Sequence, residues 1–258
     1  MTAAVGAVGS LDIGRVASRT FGTIGRNPLV FGLLGLVFAG LPRFALQWEI
    51  VQAQKDLSNL LAYGGLSGLA VLIGTFLLQG ALTYGAVADL NGARPSLAEC
   101  LTNGLRAILP LIALSILMGV ALVVGFLLLI VPGVLMALAW SVAVPSLVVE
   151  RTGVFGAFSR SADLTRGHRG AILIIAIVFW VLSVIAGLVL GLVLAVVMGV
   201  SHVSGADSSS VAVLSGMVQG VISTVEGIIG AAGVATIYVE LRAIKEGAGP
   251  RDLAAVFD

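Results

Sequence analysis

The chain has 258 residues, a net charge of +1, 10% charged and 59% hydrophobic residues, 34 glycines and a mean hydropathy of +1.12. Such values lie outside the range of soluble globular domains. A sole cysteine, Cys100, excludes an internal disulfide and any Cys-rich metal framework.

A bilayer core takes about 20 apolar residues per helical span. Six runs qualify, at 28–48, 66–90, 107–131, 133–149, 170–200 and 211–241, so the chain reads as one membrane domain over 1–258. Residues 1–27 lack the short apolar core and cleavage site of a signal peptide. Within 10–27, Ile13, Val16, Ala17, Thr20, Phe21 and Ile24 follow helical spacing, opposite Arg15, Arg19 and Arg26. This predicts an interfacial amphipathic helix ahead of the first span. Arg43, after Pro42, either snorkels to the outer interface or pairs with Glu49 or Asp56.

The second span ends near Asp89, and a second amphipathic segment follows at 95–106, where Ser96 and Glu99 form a capping box. Pro132-Gly133 predicts a tight turn, or alternatively a re-entrant break, between the third span and the short fourth one. A third amphipathic segment occupies 153–166, with Val154, Ala157, Phe158, Ser161 and Ala162 facing away from Arg160 and Asp163. All three segments end in Thr-x-Gly followed by Arg: Thr23/Gly25/Arg26, Thr102/Gly104/Arg106 and Thr165/Gly167/Arg169. The glycine is expected to turn the chain out of the interface, leaving the arginine at headgroup depth. The fold class is therefore all-α: six transmembrane helices in three hairpins, each preceded by a cytosolic interfacial helix.

Twelve of the 14 Lys/Arg residues fall on one side of this arrangement; the other receives only Arg43 and Lys55. The positive-inside bias puts both termini in the cytosol. Asp89, Glu150 and Glu240 lie at the basic helix ends, near Arg94, Arg151 and Arg242, and a ring of such pairs is expected to close that face. Gly187/Gly191 and Gly216/Gly220 permit close helix approach.

An ionisable group inside a span demands a reason. Glu226, with Gln219 and Ser223 nearby, either binds a proton, cation or substrate group, or is a buried acid bonded to a polar partner such as Gln79 in the second span. Catalytic motifs and metal-ligand spacings are missing, so no catalytic, metal or cofactor residues are expected. The basic residues follow span ends, which argues against nucleic-acid binding. Arg26, Arg106, Arg160, Arg166 and Arg169 are instead candidate contacts for anionic headgroups or a protein partner, a second copy included.

The opening segment 11–28, the Pro132-Gly133 element, the span ending in Pro145 and Val149-Glu150, the Arg160-Ser161…Leu164-Thr165-Arg166-Gly167 segment and the Tyr238-to-Gly247 ending together resemble the glycerophosphoryl diester phosphodiesterase membrane-domain family. That resemblance implies a bacterial inner-membrane protein without the catalytic barrel of the fused relatives, and so a non-enzymatic role in lipid handling or the cell envelope. A small-solute transporter using Glu226 and an accessory subunit of a membrane complex are the alternative readings.

Overall fold

The computed structural model describes residues 11–53, 64–203 and 208–247. Helix α1 (Ile13–Arg26) precedes a first span built from α2 (Pro28–Gly35), a π-helical turn (Leu36–Gly40) and α3 (Leu41–Ala53). Next come α4 (Gly65–Leu90), α5 (Leu97–Leu128), α6 (Ile130–Ala139), α7 (Ala143–Glu150), α8 (Gly153–Thr165), α9 (Arg169–Val203) and α10 (Ser208–Glu246). Six stretches are long and apolar enough to cross a membrane: Pro28–Ile50, Gly65–Leu90, Leu97–Leu128, Ile130–Glu150, Arg169–Val193 and Val213–Glu246.

Helix α10 is the hub, packing against the first span, α4 and α1, while α4 packs in turn on α5. The shared core holds Phe31, Leu34, Leu78, Leu82, Ile228 and Tyr238. Close approach is bought with glycine. Gly220 meets the Gly40 carbonyl, where an added Cβ would lie 2.9 Å from the oxygen. Gly187 and Gly191, by contrast, face open space on α9. That helix is largely exposed, with Trp180, Leu188 and Leu192 directed outward.

The π turn sits just before Pro42, which has no N–H to offer the Phe38 carbonyl. Gly74 of α4 lies against that oxygen so closely that a Cβ would collide with it. Thr224 donates its hydroxyl to Gly35 O at 3.2 Å and to Gly220 O at 2.9 Å, tying α10 to the same irregular stretch.

Several sequence expectations change here. Pro132-Gly133 is no turn: Leu129 alone, in extended conformation, separates α5 from α6. Pro132 lies in the first turn of α6, where its missing donor costs nothing, and Gly133 lies against Phe126. The second amphipathic segment is continuous with the third span, because Gly104 stays helical and packs on Leu77 and Ala81. Gly25 is also helical, and only Gly167, at φ +89°, turns the chain. The Ser96–Glu99 capping box forms as expected. The fourth span is broken at Trp140–Val142, which the sequence reading missed.

Gly74→Ala should lower the thermal unfolding temperature, costing about 1–3 kcal/mol through overpacking against Phe38. Gly68→Ala in the same helix, where nothing lies within 4 Å, should leave it unchanged or slightly raised.

Candidate functional site

Three carboxylates, Glu240 buried and Asp89 and Glu150 half-buried, organise the charged end of the bundle. Asp12 caps α1 by accepting from the Arg15 amide at 2.7 Å, which sets the helix so that Arg15 and Arg19 both reach Glu240 of α10, at 3.1 and 2.8 Å. The side chain of Glu240 is only 5% exposed. Val16, Thr20 and Thr23 form the stripe that α1 buries, and the Thr20 hydroxyl meets that of Thr236 at 3.2 Å. The seat is thus rich in hydroxyls, whereas the larger apolar Ile13 and Phe21 are exposed. The apolar face read from the sequence is therefore rotated: only part of it packs on the protein.

Arg26 pairs with Asp89 of α4, its Nη2 lying 2.5 Å from Oδ2, while Asn27 donates to the same carboxylate at 2.8 Å. The hydrogen bond to Asp89 holds the Arg26 guanidinium above its ordinary range, with burial pulling weakly the other way. Arg26, an expected headgroup contact, is in this way engaged by the protein itself.

Helix α8 repairs the broken fourth span. Ser161 donates to Ala139 O at 2.8 Å and accepts from the Val142 amide at 3.2 Å; Thr165 donates to the same carbonyl. Both hydroxyls are buried. Trp140, at the break, stacks obliquely on Phe158, ring centroids 4.7 Å apart. So placed, α8 brings Arg160 to Glu150, at 2.8 and 3.0 Å, and to Glu246. Tyr238 donates to Glu150 at 2.6 Å and Arg242 holds Glu246 at 2.6 Å. The expected ring of neighbouring pairs does not form. Asp89, Glu150 and Glu240 are matched by arginines from the amphipathic segments, not by Arg94, Arg151 and Arg242, because helices distant in sequence converge there.

Arg43, Arg94, Arg106, Arg151 and Arg169 have no carboxylate partner among the described residues, and two of them share a cavity. Arg106 and Arg151, with Asn103, Pro110 and Gly153, line a cavity of about 280 Å³ between α5, α7 and the start of α8. Arg151 donates to Asn103 Oδ1 at 3.2 Å and is the only described non-glycine residue with positive φ, at 52°. That left-handed geometry is costly for a long side chain. The first amides of α8 add partial positive charge beside the cavity. Arg166 is exposed, 3.8 Å from Asp163, and Arg169 has its Nε buried without a hydrogen-bond partner.

Glu226 lines a second cavity of about 430 Å³, a lateral groove between α9 and α10. Gln219, Ser223 and Gln79 are half-buried and do not line it. Among the described residues no hydrogen bond joins any of them to Glu226. Gly227, next along the chain, is what meets Leu78 of the second span. Arg43 is exposed and makes no ion pair with Glu49 among the described residues; Asp56 lies outside them.

A stretch of 127 residues, 49% of the chain, is 32% identical to a UPF0259 membrane protein of Pectobacterium carotovorum subsp. carotovorum (strain PC1). The chain spans about half the length of this curated relative. No family model matches and no solved structure matches. The similarity found is to that membrane protein and not to the phosphodiesterase membrane domain, whose resemblance is thereby overturned. The motifs that carried that resemblance have structural uses here: Pro132 starts a helix, Ser161 and Thr165 mend a broken one, and Tyr238 bonds Glu150.

Arg160→Gln should lower stability by about 1–3 kcal/mol, since it leaves the half-buried Glu150 carboxylate without a cation beside Tyr238. Arg166→Gln should be within about 0.5 kcal/mol of the parent. Thermal unfolding in a mild detergent distinguishes the two.

Proposed function

We propose that this multi-pass membrane protein is non-enzymatic, resides in a bacterial inner membrane and holds the phosphate of anionic lipids at its charged end, in the Arg106–Arg151 cavity. The observation that carries this reading is that, of the described arginines without a carboxylate partner, Arg106 and Arg151 line one cavity together. Arg15, Arg19, Arg26, Arg160, Arg166 and Arg242 have carboxylate partners, whereas Arg106 and Arg151 converge on a cavity without one. A phosphate diester carries the negative charge and acceptor oxygens that two guanidinium groups and an asparagine satisfy. Leu109 and Phe155, 78% exposed each, supply apolar surface on the same helices as the cavity, as an acyl-bearing ligand requires. The orientation follows from the positive-inside bias, which turns the charged end to the cytosol, where the leaflet surface potential is negative.

In nanodiscs containing phosphatidylglycerol and phosphatidylcholine, the Arg106→Gln/Arg151→Gln double variant should retain phosphatidylglycerol about tenfold less, as read by native mass spectrometry. Arg166→Gln should retain it like the parent. Equal retention by a double variant of unchanged stability overturns the reading. For orientation, a fluorescent-protein fusion after residue 258 should be bright and an alkaline phosphatase fusion there inactive.

A further inference from the structure

We infer that the lateral groove between α9 and α10 is a binding site for lipophilic cations, entered from the bilayer, with Glu226 as the counter-charge. The groove is lined by apolar residues of α9 such as Ile175 and Leu182 and of α10 such as Val225 and Ile229, with Phe21 at its edge; Ser141, Ser183 and Glu226 are its polar residues. The two helices run antiparallel. Glu226 lies 14 residues before Glu240 and Ser183 lies 14 residues after Arg169, so both sit about 21 Å below the charged end. That depth is well inside the hydrocarbon thickness.

A carboxylate there is expensive unless something neutralises it, and no cationic side chain is paired with it among the described residues. Its polar neighbours leave it alone, as described above. An ionised Glu226 is matched by no cation among the described residues, and the apolar walls favour an external cation with an apolar body. Phe179 also lines the groove and packs its ring on Gly233, 3.3 Å from where a Cβ would be and about two helical turns from Glu226, an aromatic surface available to the body of a cation. Gly230 also lines the groove, and its Cα faces open space with nothing within 4 Å of a built Cβ. The groove is open because α9 is held loosely: it is exposed along most of its length and touches little besides α10 and α6.

The test is equilibrium binding of tetraphenylphosphonium to the full chain in phosphatidylcholine nanodiscs, with empty nanodiscs subtracted. Saturable binding is expected, weaker by at least about tenfold in Glu226→Gln and for tetraphenylborate, which matches the probe in size with opposite charge. Gly230→Leu fills the groove from an open position while keeping the carboxylate, and should weaken binding similarly; it carries the test if Glu226→Gln does not fold. Arg106→Gln/Arg151→Gln should bind the probe like the parent, which separates this site from the one at the charged end. No saturable binding, equal binding of the borate, or unchanged affinity in folded Glu226→Gln or Gly230→Leu protein each overturns the inference.

Discussion

Within a bilayer no water is at hand to satisfy a peptide group, so each irregularity in a spanning helix must find its partner inside the protein. Here two spans are irregular. In the first, Pro42 removes a donor, and the slack is taken up by a π turn and the Thr224 hydroxyl, with Gly74 in close approach. In the fourth, the break at Trp140–Val142 is met by Ser161 and Thr165 of α8. The second repair has the wider consequence. Seating α8 against the break also delivers Arg160 to Glu150 and Glu246 and brings the start of α8 beside Arg151. A hydroxyl that satisfies two backbone groups therefore fixes much of the charged end.

That end shows two uses of the same residue type. Most of its arginines are internal ties: they join α1 to α10, α1 to α4, and α8 to both α7 and α10. Such half-buried pairs add little net energy over apolar packing, but removing either partner is costly because a buried charge is left behind. They act as registration between helices. Arg106 and Arg151 are different, being held near each other with no acid between them. Like charges brought together without compensation repel, and an anion relieves that repulsion.

Packing quality varies across the bundle in a way that bears on function. Around α10, glycines allow backbones to touch the first span, and dispersion contacts are dense. On the opposite side α9 meets α10 through Ile172 and Ile175 near the charged end and through Phe179 on Gly233, leaving the groove that contains Glu226. One helix thus carries a closely packed face and an open one, and the acid lies on the open face.

The number of spans, their approximate bounds and the clustering of basic residues were legible from the residues alone, because apolar length and charge asymmetry are properties of local composition. The Ser96–Glu99 cap was equally legible, since it needs only residues three apart. Partner choice was not: which arginine meets Asp89 or Glu240 depends on helices 63 to more than 200 residues apart in the chain converging at one end, and Arg160 reaches Glu150 only because α8 folds back on the broken span. The same holds for Gly104, which has the pattern of a turn and serves as a packing surface. It holds too for Ser161, whose role appears only once the fourth span breaks beside it. By itself the sequence determined that the chain is helical and built to cross a membrane, since burial of apolar side chains and backbone polar groups leaves few other solutions. Only the tertiary structure decided which charges are satisfied internally and which remain open to a ligand, because pairing is set by distance in space.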